Sequence, residues 1–408
     1  MDPFNLNNHQ KNDDFKGIEQ ESFGLEQDEL LEDEDSPELP FDAEKIRIEQ
    51  RMLSLKYVKE LIDSNLLNLY PDFQRNKVWR EAKRKSLLIE SLMLRIPIPA
   101  FYFYEDENSV LHVIDGLQRL STINDFLNNT FKLKGLQYLQ ESCNGKRFNE
   151  IDTKYVSRIY MTQLAVNVID ARTPSQMKFD LFRRINTGGV SLNAQEIRNS
   201  IAKPRIRAFL KRLANSDAFQ LATGRGIDDT RMAAQELVLR FIAFYRAYNY
   251  ETGELSYNNS DLELFLDRTF EELNGFNDNK LNDLEQTFYK AMIKSYDIFD
   301  KLAFRKYKLS ELSESPRKKL INKSLFTAWS VILADPNFPF KPAKSLYSLD
   351  ESNPVFEPTD AVCKLAELIE KNEDYSNALT LGTNAVPRVQ MNFKYTKLLW
   401  EEIRFDFQ

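Results

Sequence analysis

Apolar and polar positions follow two rhythms along the chain. Ser54 stands as an N-cap before Leu55, Val58, Leu61 and Ile62, which are spaced to fill one helical face. NLYPDFQRNKVW (68–79) is a Pro-containing extended stretch, and REAKRKSLLIESLMLR (80–95) reads as a helix, basic at its start and apolar toward its end. IPIPAFYFYE (96–105) opens on proline punctuation and becomes a strand. Turn chemistry from Glu105 to Ser109 leads into VLHVI (110–114), a second strand. Leu117, Leu120, Ile123 and Leu127 share one face of a helix over 117–129. QLAVNVID (163–170) predicts a strand, and SQMKFDLFRRIN (175–186) a helix ending in TGG. Asn193 opens another helix, with Glu196 placed as in a capping box.

Beyond residue 205 strand signals nearly vanish, while RMAAQELVLRFIAFYRAY (231–248) and SDLELFLDRTFEEL (260–273) carry helical periodicity. No internal repeat is found. The expected fold class is α+β: a mixed α/β domain over 45–205 and an all-helical domain over 206–408.

Composition agrees with a globular body. The chain has 408 residues, 42% hydrophobic and 12% aromatic, with 29 Phe to fill an interior. No apolar run approaches the roughly 18 residues that span a bilayer. The start, MDPFNLNNHQKNDD, lacks the basic and apolar regions of a signal peptide. A soluble cytoplasmic protein is expected. Two cysteines, Cys143 and Cys363, make neither a disulfide framework nor a Cys-based zinc site. Two histidines, His9 and His112, leave a zinc hydrolase or Ser-His hydrolase almost nothing to draw on. His112 reads as a strand side chain without chemistry.

The net charge of −7 hides an asymmetry: residues 1–44 hold 15 acids and two bases, and the remainder is +6 with 53 bases against 47 acids. Residues 1–44 therefore read as an acidic disordered tail. A sharper reading is that the tail masks a basic surface from non-specific nucleic acid.

The candidate chemistry lies in HVIDGLQRLSTINDF (112–126). Gly116 between strand and helix permits a sharp turn, and the first helical turn offers unpaired N–H groups and the positive dipole end, an anion site. Arg119 falls in that turn and can add a planar charged donor for phosphate oxygens. Asp115 can hold a metal ion, orient a water or fix the arginine; Gln118 can position an attacking water. The reading requires an accessible Arg119 guanidinium in an open corner. An arginine that simply pairs with Asp115 is the plain alternative.

PDFQR (71–75), IPIP (96–99), VIDGLQRLST (113–122) and LFRRINTGGVSLNAQEIRN (181–199) occur in that order. Together they resemble the N-terminal domain of the GmrSD-type restriction-system family, which carries a D-G-Q-Q-R signature. The resemblance covers most of residues 50 to 200. It implies a ParB/sulfiredoxin-like fold that holds nucleotide phosphates at the G-x-x-R turn. It further implies nucleoside triphosphate hydrolysis coupled to DNA restriction or phage defence. The positions carried over are Asp115, Gly116, Gln118 and Arg119, then Gln74 and Arg75 of the F-Q-R element. The I-N-x-G…E-x-R-N element supplies Asn186, Thr187, Gly188 and Gly189, with Glu196, Arg198 and Asn199 in support. The family's first glutamine is Leu117 here: if that glutamine contacts the nucleotide the change weakens catalysis, and if it faces the core the change is harmless; the helical periodicity, with Leu117 heading the apolar face, favours the second. Sulfiredoxin's own chemistry is set aside, since its catalytic cysteine aligns with Leu117.

Outside the motif, Asn186–Gly189 read either as an anion nest or as an ordinary helix end. The basic cluster Arg80, Lys83, Arg84 and Lys85 is a candidate for DNA phosphates, as are Lys203, Arg205, Arg207, Lys211 and Arg212; solvated helix faces are the plain reading of both. Trp79, Trp329 and Trp400 read as core. With no histidine after His112, the His-Asn-His nuclease that often accompanies this family is not expected in this chain.

The leading expectation is a Mg²⁺-dependent nucleoside triphosphatase acting as a sensor or switch, with Asp115, Gln118 and Arg119 in the catalytic roles. The alternatives are a DNA-binding module without turnover and a regulatory partner of a separate nuclease.

Overall fold

The computed structural model describes residues 24–26, 47–69, 82–185, 193–258, 261–312, 316–338 and 359–404. Gln74, Arg75, Trp79, Arg80, Asn186, Thr187, Gly188 and Gly189 lie outside these residues, as does most of the acidic tail.

The N-terminal region is a mixed sheet with helices. In chain order it runs β1 (Ile48–Ser54), α1 (Leu55–Asp63), β2 (Leu67–Asn68), α2 (Ala82–Met93), β3 (Phe101–Glu105), β4 (Leu111–Asp115) and α3 (Leu117–Leu127). The short α4 (Gln140–Cys143), then α5 (Thr153–Met161) and β5 (Gln163–Ile169), complete it. The strand order is β1-β5-β3-β4-β2. β1 pairs antiparallel with β5, β5 parallel with β3, β3 antiparallel with β4, and β4 parallel with β2. Ser54 ends β1 and caps α1, its Oγ accepting from Tyr57 N at 3.3 Å.

Side-chain alternation separates the two faces of the sheet. Phe101, Phe103, Leu111, Val113, Leu164, Val166 and Val168 face one core, shared with Leu55 and Val58 of α1, Ile89 and Leu92 of α2, Ile123 and Phe126 of α3, and Ile159 of α5. Their neighbours Tyr104, Ile114 and Ile169 belong to a second core. Within the first layer the Glu90 carboxylate is buried and accepts the N–H groups of Gln137, Tyr138 and Leu139 at 2.7–3.0 Å. A connecting segment is thereby satisfied by one acid, as burial demands.

The second core is helical. Its elements are α6 (Ser175–Ile185), α7 (Ala194–Ile201), α8 (Pro204–Ala214), α9 (Asp217–Ala222), α10 (Ala233–Ala247), α11 (Leu262–Leu273) and α12 (Asp278–Phe299), followed by α13 (Lys323–Leu333), α14 (Asp360–Lys371), α15 (Glu373–Ala378) and α16 (Val386–Ile403). Phe179 and Phe182 of α6 and Ile197 of α7 bury in this same core, beside Tyr104, Ile114 and Ile169 of the sheet. The sheet is thus covered on both sides, and α6 is the first helix of the second layer. Trp329 and Trp400 lie in the helical core, as expected. Among the described residues no helix is long and apolar enough to cross a membrane.

Candidate functional site

The turn from β4 into α3 places the motif. Asp115 ends the strand, Gly116 takes φ +94° as N-cap, and Leu120 N donates to Gly116 O at 2.9 Å to begin the helix. Phe101, at the start of the neighbouring strand β3, packs so closely that a Cβ on Gly116 would overlap its ring. Glycine is thus required twice, by the left-handed backbone and by this contact.

Gly116 has no side chain with which to cap α3, and no other described residue does so. The N–H groups of Leu117, Gln118 and Arg119 find no acceptor among the described residues, and neither does the Gln118 side-chain amide. These are the groups that make a helix start attractive to an anion. Leu117 is partly buried against the N-terminal core, in keeping with its place at the head of the apolar face.

Arg119 is not the open phosphate ligand that the direct-contact reading requires. Its side chain is 14% exposed. Nη2 donates to Asp115 Oδ2 at 2.9 Å and to Ala100 O at 3.1 Å, Nη1 donates to Pro99 O, and the guanidinium lies 4.5 Å from the Phe101 ring centroid. Burial draws its pKa down from the ordinary arginine value, opposed by the adjacent Asp115 carboxylate. The cause is local. Residues 96–100 form no strand, so the carbonyls of Pro99 and Ala100 need a donor, and Arg119 supplies it. The arginine ties the entry of β3 to the first turn of α3. A phosphate would have to be met by its remaining N–H groups or at the cost of these bonds.

Asp115 is differently disposed. Its side chain is 34% exposed, and Oδ1 has no partner among the described residues. A carboxylate beside an anion site repels the anion unless a cation lies between them. Mg²⁺ is commonly held by one or two carboxylates together with phosphate oxygens and waters, so Asp115 fits that ion as one ligand of a shared site. Among the described residues no cluster of three or more His, Cys, Asp or Glu offers a protein-only metal site.

The other expected residues are placed elsewhere. Glu196, Arg198 and Asn199 are buried in α7. Glu196 completes the expected capping box with Asn193 and accepts from Arg231 Nη2 at 2.8 Å. Arg198 Nε donates to Asp267 Oδ1 at 2.7 Å, and Asn199 Nδ2 to Gln235 Oε1 at 2.8 Å. Glu196 thus ties α7 to the turn that precedes α10, Asn199 ties it to α10 and Arg198 to α11. Lys83 and Arg84 are exposed at the start of α2, while Lys85 lies 4.0 Å from Asp125 near the far end of α3. That end is about 12 Å along the helix from Leu117, so Lys85 does not join the Gly116 turn. Of the second basic set, Arg205 meets Asp278 at 2.8 Å and Arg212 chelates Glu285 at 2.7 and 2.9 Å. Arg207 donates to Ala202 O at 3.2 Å; Lys203 and Lys211 are exposed.

One local cluster was not read from the sequence. Asp106 accepts from Asn108 N at 2.8 Å, from Val110 N at 3.0 Å, and contacts His112 Nε2 at 2.8 Å. Burial works against its charge, yet the His112 hydrogen bond and the two backbone donors hold its pKa below the usual carboxylate value. His112 thus locks the β3–β4 turn. The available signal was an acid at the head of a turn with a histidine six residues on.

The strand–Gly116–helix turn, with its acid before and its Gln-Arg after, lies inside a recognised domain. Residues 58–203 match the family model described as GmrSD restriction endonuclease, N-terminal domain. This segment is a GmrSD-type N-terminal domain. It begins within α1, includes β2 to β5 and the whole Gly116 turn, and ends just after α7; β1 and the helices from α8 onward lie outside it. No curated protein and no solved structure matches the chain.

Proposed function

We propose that this chain is a component of a restriction or phage-defence system whose GmrSD-type domain binds a nucleoside triphosphate at the β4–α3 turn and hydrolyses it as a sensor or switch. The observation that carries the reading is the conjunction at that turn, inside the matched domain, of three N–H groups, the Gln118 amide and Oδ1 of Asp115, none of which has a partner among the described residues. The backbone N–H groups receive phosphate oxygens, and Gln118 orients a water. Asp115 holds Mg²⁺, which when bound supplies charge neutralisation at the phosphates. Arg119 acts as a positioning residue that keeps the Asp115 carboxylate aimed and its charge balanced. Chemistry of this kind rests on placement and electrostatics rather than on a protein nucleophile.

The test is phosphate release from the four common nucleoside triphosphates with Mg²⁺, alongside nucleotide titration of the parent, Asp115→Asn and Gln118→Ala. Turnover in the parent that is lost in Asp115→Asn, with the fold retained, supports the proposal. A parent that neither binds nor hydrolyses any of them overturns it.

A second reading rests on the engagement of Arg119 by Pro99, Ala100 and Asp115. In it the motif is a structural latch, and the chain serves as a DNA-binding module or as the regulatory partner of a separate nuclease. Mobility shifts with and without nucleotide, and co-purification with a nuclease, separate it from the first.

A further inference from the structure

The sheet has two unlike edges. β2, at one end, is two residues long, whereas β1, at the other, runs seven residues without a register shift, a glycine or a proline. At the two ends of β1, Asp170 N donates to Arg47 O at 3.0 Å and Leu55 N to Thr162 O at 2.9 Å. Both contacts lie on the register that joins Gln50 to Asn167, so the odd-numbered residues of β1 hydrogen-bond to β5. The N–H and C=O groups of Ile48, Gln50 and Met52 therefore point away from the sheet. Among the described residues nothing pairs with them.

Edges are normally blunted by lysine, proline, a bulge or a strand too short to extend. β2 uses the last of these devices and β1 uses none. The charges of β1 are Glu49 and Arg51, of opposite sign, which meet each other at 2.6 Å; Arg51 also lies 3.7 Å from Glu105. They stand on the side of the sheet that carries Val166 and Val168, their partners on β5. Ile48 and Met52 stand on the other side, 44% and 60% exposed.

The strand is its own complement. In an antiparallel pair of β1 strands related by a two-fold axis at Gln50, Ile48 stands opposite Met52, Glu49 opposite Arg51, and Gln50 opposite its own copy. Backbone and charge agree on this register. The Ile48–Met52 and Gln50–Gln50 pairs join residues whose backbone groups point outward, so each is a hydrogen-bonded pair. The Glu49–Arg51 pairs fall on the closer, non-hydrogen-bonded positions, where opposite charges attract. Moving the axis to Glu49 or to Arg51 keeps the backbone pairing but sets two like charges directly against each other. Charge thus selects Gln50.

We propose that β1 is the contact through which two copies of this chain associate, joining two five-stranded sheets into one across a two-fold axis at Gln50. Ile48 of each copy covers Met52 of the other on one face, while the Glu49–Arg51 pairs close the opposite face. A strand pair of this length buries less than the roughly 1,600 Å² of a standard interface, so the dimer is reversible and grows with concentration. β1 precedes the matched domain, and the inference stands independently of the nucleotide site.

Sedimentation velocity of the full chain from about 1 μM to about 1 mM reads the association. Gln50→Pro removes an outward N–H and leaves the β1–β5 ladder its donors, so it should stay folded in thermal melts and raise the dissociation constant about tenfold or more. Glu49→Arg sets like charges opposite each other twice and should weaken the dimer about tenfold; adding Arg51→Glu restores both pairs in swapped order and should recover it. Crosslinking reads the register, with the parent and its Cys143 and Cys363 as control. Gln50→Cys places its Cα about 5.5 Å from its copy and should give a disulfide-linked dimer under mild oxidation. Ile48→Cys lies roughly 13 Å along the strand from its own copy and should not link to it, but should link to Met52→Cys when the two variants are mixed. A parent that stays monomeric up to about 1 mM overturns the proposal. So does a dimer that Gln50→Pro leaves unchanged, or an Ile48→Cys that links to itself as readily as Gln50→Cys.

Discussion

Nη2 of Arg119 stands 2.9 Å from Oδ2 of Asp115 and donates at the same time to the carbonyl of Ala100 at 3.1 Å. One guanidinium therefore spans the end of β4, the start of α3 and the entry of β3. The pairing turns two motif residues into a single unit: Arg119 holds Oδ2 of Asp115, and Oδ1 has no partner among the described residues.

Replacing Arg119 should then have two separable consequences. Arg119→Ala leaves two carbonyls and a carboxylate without their donor, and is expected to lower stability by about 2–4 kcal/mol in urea unfolding. Arg119→Lys restores one charge contact but not the planar fork, so it should recover only part of that loss. Both should weaken nucleotide binding in titrations well below their melting temperatures. Unchanged stability in Arg119→Ala would remove the latch. Lost stability with intact nucleotide affinity would leave the latch and remove the ligand site.

Gly116→Ala tests the corner itself. Positive φ costs a non-glycine residue about 1–2 kcal/mol, and the overlap with Phe101 adds about 1–3 kcal/mol. A total loss of about 2–5 kcal/mol is expected. Combining it with Phe101→Leu should relieve the overlap and leave the backbone cost, so the two changes should couple in a double-mutant cycle. Strict additivity would show that the Phe101 contact is not what selects glycine.

The elements that were legible carry their signal locally, in a cap residue, a turn glycine or a short apolar run. Ser54 with Leu55, Val58 and Leu61, the strand ending at Asp115, and the Asn193–Glu196 box all emerged where sequence spacing placed them. β1 did not, because IEQRMLS lies at the sheet edge with Ile48 and Met52 both exposed, so no alternation marks it. α5 was also missed; Tyr155 and Ile159 are its two buried residues, too few to set a period. At the site, Asp115 and Gly116 are local and could be read. The acceptors of Arg119 could not, since Pro99 and Ala100 reach it only through tertiary packing. Arg198 was read as a motif residue, whereas its partner Asp267 lies 69 positions away on α11.

That buried pair makes a sharp prediction of its own. Arg198 is fully buried, and Asp267, 2% exposed, is shared with Arg183 at 2.5 Å. Burial works against the Arg198 charge, but Glu263 and Asp267 more than offset it and hold the guanidinium above its ordinary value. Arg198→Met should cost about 3–5 kcal/mol, because it removes the buried one of the two guanidinium partners of Asp267 and leaves that buried carboxylate with Arg183 alone. Arg198→Met combined with Asp267→Leu should recover much of that loss. A double variant less stable than both singles would mean that the pair contributes net attraction beyond its mutual neutralisation. Calorimetric melts of the three variants decide between these outcomes.

Acid should open the helical half through Glu236. This α10 carboxylate accepts from Arg240 Nε at 2.9 Å and meets Lys323 Nζ of α13 at 3.2 Å. Burial pushes its pKa up, but Lys323, Arg240 and the nearby Arg198 outweigh burial and bring it down to about 2. Because the folded value lies below the unfolded one, its stabilisation is fully present above about pH 4.5 and fades as pH falls toward about 2. Glu236→Gln should therefore cost on the order of 2–3 kcal/mol near neutrality, with the gap to the parent closing in acid. Urea unfolding at about pH 7, 5, 4 and 3 reads this directly, since the parent must lose stability faster than the variant over the lower part of that range. Parallel curves from about pH 5 to 3 would show that the α10–α13 junction does not carry the acid sensitivity, and would shift attention to Asp106 at the β3–β4 turn, whose pKa is lowered in the same direction.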